Sequence, residues 1–241
     1  MALPAGVAHI HFETIESTNL EARRRAPDCI QPIWITADEQ TAGIGRRGRA
    51  WSTQSGNFAG SYLMPVEGDM QTQALYSFVA ALALFDACAK ITGRPEAFSL
   101  KWPNDVLMHG AKVAGILLEA LGTPTHLIIG IGVNLRHDAE ASKLATDAHQ
   151  TASLGSDLDA QGFLEFLAPA FEEHADRFRR KGFAPIRDTW LNRAAKRGEL
   201  ITARLPKTEI TGVFEDIDET GAMILKNADG AHTIAAGDVF F

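Results

Sequence analysis

Apolar positions alternate with polar ones, or cluster in short runs, through the first third of the chain. His9 to Ile15 reads as a short strand with its histidines and Glu13 on one side, and Ile33 to Ala37 and Phe58 to Met64 read as further strands. Between the first two, Ser17-Thr18-Asn19 leads into Leu20-Glu21-Ala22, with Thr18 and Glu21 at the spacing of a capping box, so a helix is expected to start there. Ala74, Leu75, Phe78, Val79, Leu82 and Phe85 recur at helical spacing and predict one helix over residues 71–91. Phe98 to Trp102 and Val106 to Met108 flank Pro103-Asn104-Asp105, and Val113 to Leu121 and Thr125 to Leu135 read as two neighbouring buried strands. Ala139 to Asp159 reads as a polar surface connection with short helical turns, and Phe163, Phe166, Leu167, Ala170, Phe171 and Phe178 mark another helix.

Beyond Gly182 the period changes from helical to alternating. Ile201, Ala203 and Leu205, then Ile210, Gly212 and Phe214, then Ala222, Ile224 and Thr233 to Ala235, punctuated by Gly221 and by Asn227 to Gly230, predict a small β-barrel-like unit. The expected organisation is therefore an α/β unit over residues 1–188 followed by a small all-β unit over 189–241.

Composition narrows the function classes. A chain of 241 residues can bury one sizeable core, and 46% hydrophobic with 22% charged residues is ordinary for a soluble protein. A net charge of −7 argues against nucleic acid as a partner. Cys29 and Cys88 make no disulfide framework and match no zinc spacing, which fits a reducing, cytoplasmic compartment. Met1 to Phe12 lacks the features of a signal peptide, and the longest apolar region, Leu75 to Ala89, is broken by Asp86 and is shorter than the ~20 residues of a membrane span. No membrane partner is expected.

Against that acidic background two stretches concentrate cations. The first is Thr41-Ala42-Gly43-Ile44-Gly45-Arg46-Arg47-Gly48-Arg49-Ala50-Trp51; the second is Lys101-Trp102-Pro103-Asn104-Asp105 with Lys112-Val113-Ala114-Gly115. Glycine-spaced arginines offer guanidinium groups and bare backbone amides together, which suits a loop that closes over phosphate. Lys101 is expected at the end of a buried strand, and a tight turn at His109-Gly110 would bring Lys112 back so that both lysines approach one site from adjacent strands. Gly130-x-Gly132-x-Asn134 marks a strand that could admit a ligand against its backbone.

Gly43-x-Gly45-x-x-Gly48 formally fits a dinucleotide fingerprint, yet turn residues Ser52 to Asn57 follow it where a helix should open. The Lys-Ser/Thr ending of a P-loop is absent, as are metal-ligand histidine spacings and a Gly-x-Ser-x-Gly elbow.

In order and spacing, Ser17-Thr18-Asn19, Gln40, Gly43 to Trp51, Lys101 to Asp105, Lys112 to Glu119 and Gly130 to Asn134 resemble biotin protein ligases, over about residues 8–180 and, by pattern alone, in the tail. The resemblance implies an α/β, mixed-sheet catalytic domain of the biotin/lipoate ligase type with a small C-terminal β domain. It implies ATP and biotin as substrates, Mg²⁺ beside the polyphosphate, and a biotin carboxyl carrier protein or domain of the acetyl-CoA carboxylase type as acceptor. It implies that Ser17, Thr18, Asn19 and Gln40 meet the biotin rings, with Gly43, Gly45 and Gly115 admitting the ligand. Arg46 and Lys101 would be the catalytic cations on carboxylate and α-phosphate. Arg47, Arg49, Trp51, Asn104, Asp105, Lys112 and Asn134 would face the nucleotide. Ile44 stands where the family loop, Gly-Arg-Gly-Arg-Arg-Gly-Arg, has its first arginine. The chain begins near the first catalytic strand, so a DNA-binding repressor role is not expected. A lipoate or octanoate ligase of the same fold and a non-catalytic biotin-binding sensor stay open as alternatives, as does a homodimer.

Overall fold

The computed structural model describes residues 3–49, 51, 56–122, 126–136, 151–205 and 208–241. Residues 52–55 of the expected Ser52 to Asn57 turn and most of the 139–159 connection lie outside them. In chain order the elements are β1 (Ala8–Ile15), α1 (Thr18–Arg25), β2 (Ile33–Gln40), β3 (Phe58–Pro65), α2 (Met70–Ala74), α3 (Tyr76–Thr92), β4 (Phe98–Lys101), β5 (Asp105–Met108), β6 (Ala111–Leu121), β7 (His126–Val133), α4 (Ala160–Lys181), α5 (Ala184–Leu191), β8 (Leu200–Arg204), β9 (Glu209–Ile217), β10 (Met223–Asn227), β11 (Gly230–Ile234) and β12 (Asp238–Phe240).

The first seven strands form one sheet in the order β1-β2-β3-β7-β6-β5-β4. It is mixed: β1 runs parallel to β2, connected through α1, and the other pairings are antiparallel. Helix α1 covers one face over β2, β3 and β7, where Ala22, Ala26, Ile35, Leu63 and Ile128 make a small core. Its basic last turn, Arg23 to Arg25, complements the helix dipole. The opposite face carries α3 and α4. Trp34 and Tyr62 of the sheet stack at 4.7 Å and meet Phe171 of α4 edge-on. Helix α3 is buried nearly all round, from Tyr76 to Cys88, because sheet and helices surround it. The 70–92 segment is long and apolar enough to cross a membrane by composition, but 72% of its most apolar window is buried in this core.

Several expectations change in detail. The single helix over 71–91 is two, α2 and α3, meeting at Leu75, and Asp69 caps the first by accepting from Thr72 N–H at 2.7 Å. Helix α4 starts at Ala160, with Asp159 accepting from Gly162 N–H at 2.7 Å, and α5 follows without having been predicted. The second sheet runs β11-β10-β9-β8-β12 and is wholly antiparallel. Met223 and Leu225, rather than Ile224, point into its core, and the register shifts between Ile224 and Leu225. The extra residue opposite that shift lies in β9, whose buried positions step from Phe214 to Ile217, which simple alternation in the sequence does not reveal.

The two sheets share one apolar cluster: Trp190 of α5 sits between Phe78 of α3 and Phe214 of β9. The chain between α5 and β8 also lies along edge strand β4. Leu100 N–H donates to Arg193 O at 2.8 Å, and Ala195 N–H donates to Leu100 O at 2.8 Å.

Candidate active site

The glycine–arginine loop leaves the end of β2 and folds on itself. Gly45 N–H donates to Arg49 O at 2.7 Å and Trp51 N–H to Gly43 O at 2.9 Å. A single 3₁₀ turn spans Arg46–Gly48, with Arg47 at φ 56° and Gly48 at φ 71°, a left-handed pair that needs glycine at its second place. A Cβ on Gly43 would collide with the Trp51 carbonyl, so that glycine is required by close approach. Ile44 is half exposed.

Arg46 turns inward. Its Nη1 donates to Asn104 Oδ1 at 3.0 Å and its Nη2 to Gly237 O at 3.4 Å. Burial pulls its guanidinium below the ordinary value, against the opposing fields of Asp238 and Asp105. Arg47 and Arg49, expected at the nucleotide, both reach Asp238 Oδ2, at 2.6 and 3.1 Å. The loop is thereby ordered by a carboxylate from the second sheet, with two arginines held by an internal anion.

Lys101 ends β4, as expected, and is partly buried. It does not meet Lys112 from an adjacent strand, because β5 lies between β4 and β6. Lys101 pairs with Asp105 in the β4–β5 register, and Lys112 Nζ reaches Asp105 Oδ1 at 2.6 Å from β6. Asp105 is thus the shared neighbour of the two lysines. Burial lowers the Lys101 pKa, the field of Asp105 opposes this, and Lys112 adds to the lowering. Lys101 Nζ also lies 4.6 Å above the Phe241 ring. Asn104 spans the site: its Nδ2 donates to Ile116 O at 2.6 Å while its Oδ1 receives Arg46.

A second polar group lines the α1 face. Ser17, Thr18 and Asn19 are buried at the start of α1, and Ser61 of β3 is fully buried beside them. The expected capping box is absent. Ser17 is the N-cap without a side-chain cap bond, and Glu21 binds Arg24 and Arg25 instead. Gln40 at the end of β2 supplies the cap from outside: its Oε1 accepts Thr18 N–H at 2.8 Å, with the Thr18 hydroxyl oxygen 3.1 Å away. Glycines floor this region. A Cβ on Gly130 would strike the Asn19 amide, and one on Gly132 would strike the Trp51 indole. Gly115 lies against Lys112 and Trp51, and Lys112 Nζ stands 5.5 Å from the Trp51 ring.

Asn134, expected at the nucleotide, donates from its Nδ2 to Ala152 O at 3.0 Å and so ties β7 to the chain that follows. Sequence reasoning also missed Ser61, Arg23, Glu119, Gly237 and Asp238. The one usable signal was a serine and a glutamate inside otherwise apolar strands. A cavity of about 870 Å³ between the sheet and α4, lined by Tyr62, Tyr76 and Phe178, contains none of these groups in its wall.

Among the described residues no group of three or more His, Cys, Asp or Glu side chains is placed to hold a metal ion. Asp105 alone fits an ion carried mainly by a nucleotide's own phosphates and by water.

The chain matches the biotin/lipoate A/B protein ligase family over residues 11–134 and the biotin protein ligase C-terminal domain over residues 198–241. It is 45% identical to the biotin–[acetyl-CoA-carboxylase] ligase of Paracoccus denitrificans, covering 94% of this chain and 97% of that protein. It is 29% identical to the bifunctional ligase/repressor BirA of Bacillus subtilis, over 95% of this chain and 73% of that protein. The solved structure of the biotin protein ligase from Aquifex aeolicus in complex with biotin and ATP superposes with a TM-score of 0.77 at 28% identity, covering 96% of this chain and 97% of that one.

Proposed function

Because the chain belongs to the biotin/lipoate A/B protein ligase family, we propose that it is an ATP-dependent biotin protein ligase acting on a biotin carboxyl carrier domain of the acetyl-CoA carboxylase type. The observation that carries the reading is the convergence of Arg46, Lys101 and Lys112, from three separate segments, around Asn104 and Asp105. Cations gathered at one place, two of them partly desolvated, match a reaction in which negative charge accumulates at a single bond.

In the first half-reaction a biotin carboxylate oxygen attacks the α-phosphorus of ATP. The new O–P bond forms as the bond to pyrophosphate breaks, leaving biotinyl-5′-AMP. Lys101 sits where it neutralises charge on the carboxylate and α-phosphate as they approach, and Arg46 holds the phosphate in the product. In the second half-reaction a carrier lysine, as its neutral amine, attacks the acyl carbon. AMP leaves with the bonding pair of the anhydride oxygen, and the amine loses its proton as the amide forms.

The polar group at Ser17, Thr18, Asn19 and Gln40 receives the ring system, with Gly43, Gly45 and Gly115 giving backbone access. Trp51, Arg47, Arg49, Asn104, Asp105 and Lys112 serve the nucleotide side. Arg47 and Arg49 then exchange Asp238 for phosphate oxygens. Asn134 serves the nucleotide side as well, from the end of β7. Asp105 would be the carboxylate available to the waters of a magnesium ion carried by ATP, which would supply neutralising charge to the polyphosphate. The same reading makes the protein a cytoplasmic enzyme without nucleic-acid or membrane partners, in keeping with its net charge of −7 and its two free cysteines.

The test is incubation with ATP, Mg²⁺ and labelled biotin, followed by identification of the trapped nucleotide and transfer to an acceptor carrier domain. Biotinyl-AMP and a labelled carrier lysine are expected. Stabilisation by lipoate but not by biotin in a thermal-shift titration, or no biotin-dependent pyrophosphate–ATP exchange, would overturn the assignment.

A further inference from the structure

Glu119, near the end of β6, is a carboxylate set in a row of neutral polar groups, with a side chain only 17% exposed. Its Oε1 accepts from Asn19 Nδ2 at 2.7 Å, and its Oε2 accepts from Arg23 Nε at 2.6 Å. A carboxylate paired with an arginine can only accept. Asn19 must therefore turn its NH₂ toward Glu119, which turns Oδ1 toward Ser61 Oγ, 2.5 Å away. An amide oxygen cannot donate, so the single Ser61 hydroxyl proton is committed to that bond. Ser61 Oγ must then accept from the Thr18 hydroxyl, 2.7 Å away, so the one Thr18 hydroxyl proton points to Ser61 and not to Gln40 Oε1, 3.1 Å away. Gln40 Oε1 accepts Thr18 N–H, which fixes its carboxamide beside the row.

We propose that Glu119 is a positioning residue that sets the donor–acceptor direction of the row from Asn19 through Ser61 to the Thr18 hydroxyl, and so makes this wall selective for a cyclic urea. The inference rests on the reading that this wall receives biotin's ring system. A urea presents a carbonyl flanked by two N–H groups, and it gains only where each meets a group of the opposite kind. Neutral amides can flip, and a flipped amide meets it with donors facing donors. A row anchored by a carboxylate has one arrangement, and the helix N–H fixes the Gln40 amide beside it. Nothing in a hydrocarbon chain or dithiolane ring depends on that direction, so its loss should penalise the urea selectively.

The test is calorimetric titration of the full chain with biotin and, separately, with ATP. In Glu119→Gln the anchor becomes an amide that can present either end. Biotin is expected to bind about tenfold or more weakly, the worth of one misdirected buried hydrogen bond, with ATP affinity within about twofold of the parent. Arg23→Met removes the ion pair but keeps the acceptors of Glu119, and biotin affinity should stay within about threefold. Equal loss for biotin and ATP in Glu119→Gln, or a loss in Arg23→Met as large as in Glu119→Gln, would show a general structural role and overturn the proposal. Gln40→Ala separates the two levels. If it weakens biotin tenfold while Glu119→Gln does not, the direction-setting role fails and the ring site stands. If neither variant changes biotin binding, the ring site itself is misplaced and both readings fall. Should Glu119→Gln not fold, Ser61→Ala cuts the row one link along, and unchanged biotin affinity in that variant equally overturns the proposal.

Discussion

Arg47 Nη1 lies 2.6 Å from Asp238 Oδ2, an ion pair that joins the glycine–arginine loop to the last strand of the second sheet across 191 positions of sequence. Arg49 reaches the same oxygen, so one carboxylate gathers two of the loop's three arginines. Both arginines are substantially exposed, so each pair contributes modestly, up to about 1 kcal/mol, and is weakened by salt. Asp238→Asn should therefore free the loop without unfolding the protein. Trypsin cleavage after Arg47 and Arg49 is expected to accelerate severalfold, and high salt should reproduce the effect in the parent. An unchanged cleavage rate would mean that backbone bonds alone order the loop.

Lys101→Ala should lower adenylate formation about 10²- to 10³-fold, the usual loss for one group that stabilises transition-state charge. Because Lys101 ends an edge strand and is only partly buried, the fold should survive, which circular dichroism checks. Near-parental pyrophosphate exchange would remove Lys101 from this role.

The same lysine predicts a pH dependence. Burial lowers its pKa below the ordinary 10.5, so the ammonium is lost at lower pH than a solvated lysine would lose it. The alkaline limb of kcat/KM should fall in that lowered range. The limb in kcat at saturating ATP should lie higher, since bound phosphate favours the charged form. For stability the sign is opposite to that of a paired cation. Between the lowered value and 10.5 the unfolded chain holds more protons than the folded one, so stability rises with pH through this window. Lys101→Arg should abolish the limb.

Gly130→Ala should force the Asn19 amide off its position, because the added Cβ occupies the same space. The expected cost is about 1–3 kcal/mol of stability, read by urea unfolding, with weaker biotin binding in the same variant. Full retention of biotin affinity would place the ring system elsewhere.

Asp86 of α3 holds His174 of α4 at 2.6 Å and Arg193, beside β4, at 2.8 Å. Burial pushes its carboxyl upward, but His174 and Arg193 together bring it below its ordinary value. With Asp86 more than a third exposed, solvent screens the pairs, and Asp86→Asn should cost about 1–2 kcal/mol in urea unfolding. The parent's advantage should be complete above pH 3.8 and vanish as pH falls through the lowered folded value. A deficit that persists unchanged at the lowest pH would show that packing is responsible instead.

Local chemistry made much of this molecule readable in advance. The strands at His9 to Ile15, Ile33 to Ala37 and Phe58 to Met64, the start of α1, and the glycine–arginine loop follow from periodicity and backbone preference within a few residues of each position. The bulge in β9, the short helix α5 and the true cap of α1 did not, because each depends on a partner elsewhere along the chain.

By itself, then, the amino-acid order determined where most strands and the longer helices would lie, that an acidic chain would carry two local groups of cations, and that Lys101 would end a strand. Only the tertiary structure decided that β5 separates the two lysines, that Asp238 gathers Arg47 and Arg49, and that Glu119 orients Asn19 across 100 positions. The reason is physical: backbone preference and hydrophobic period act over a few residues, whereas strand order and charge pairing depend on which distant segments the folded core brings within a few ångströms of one another.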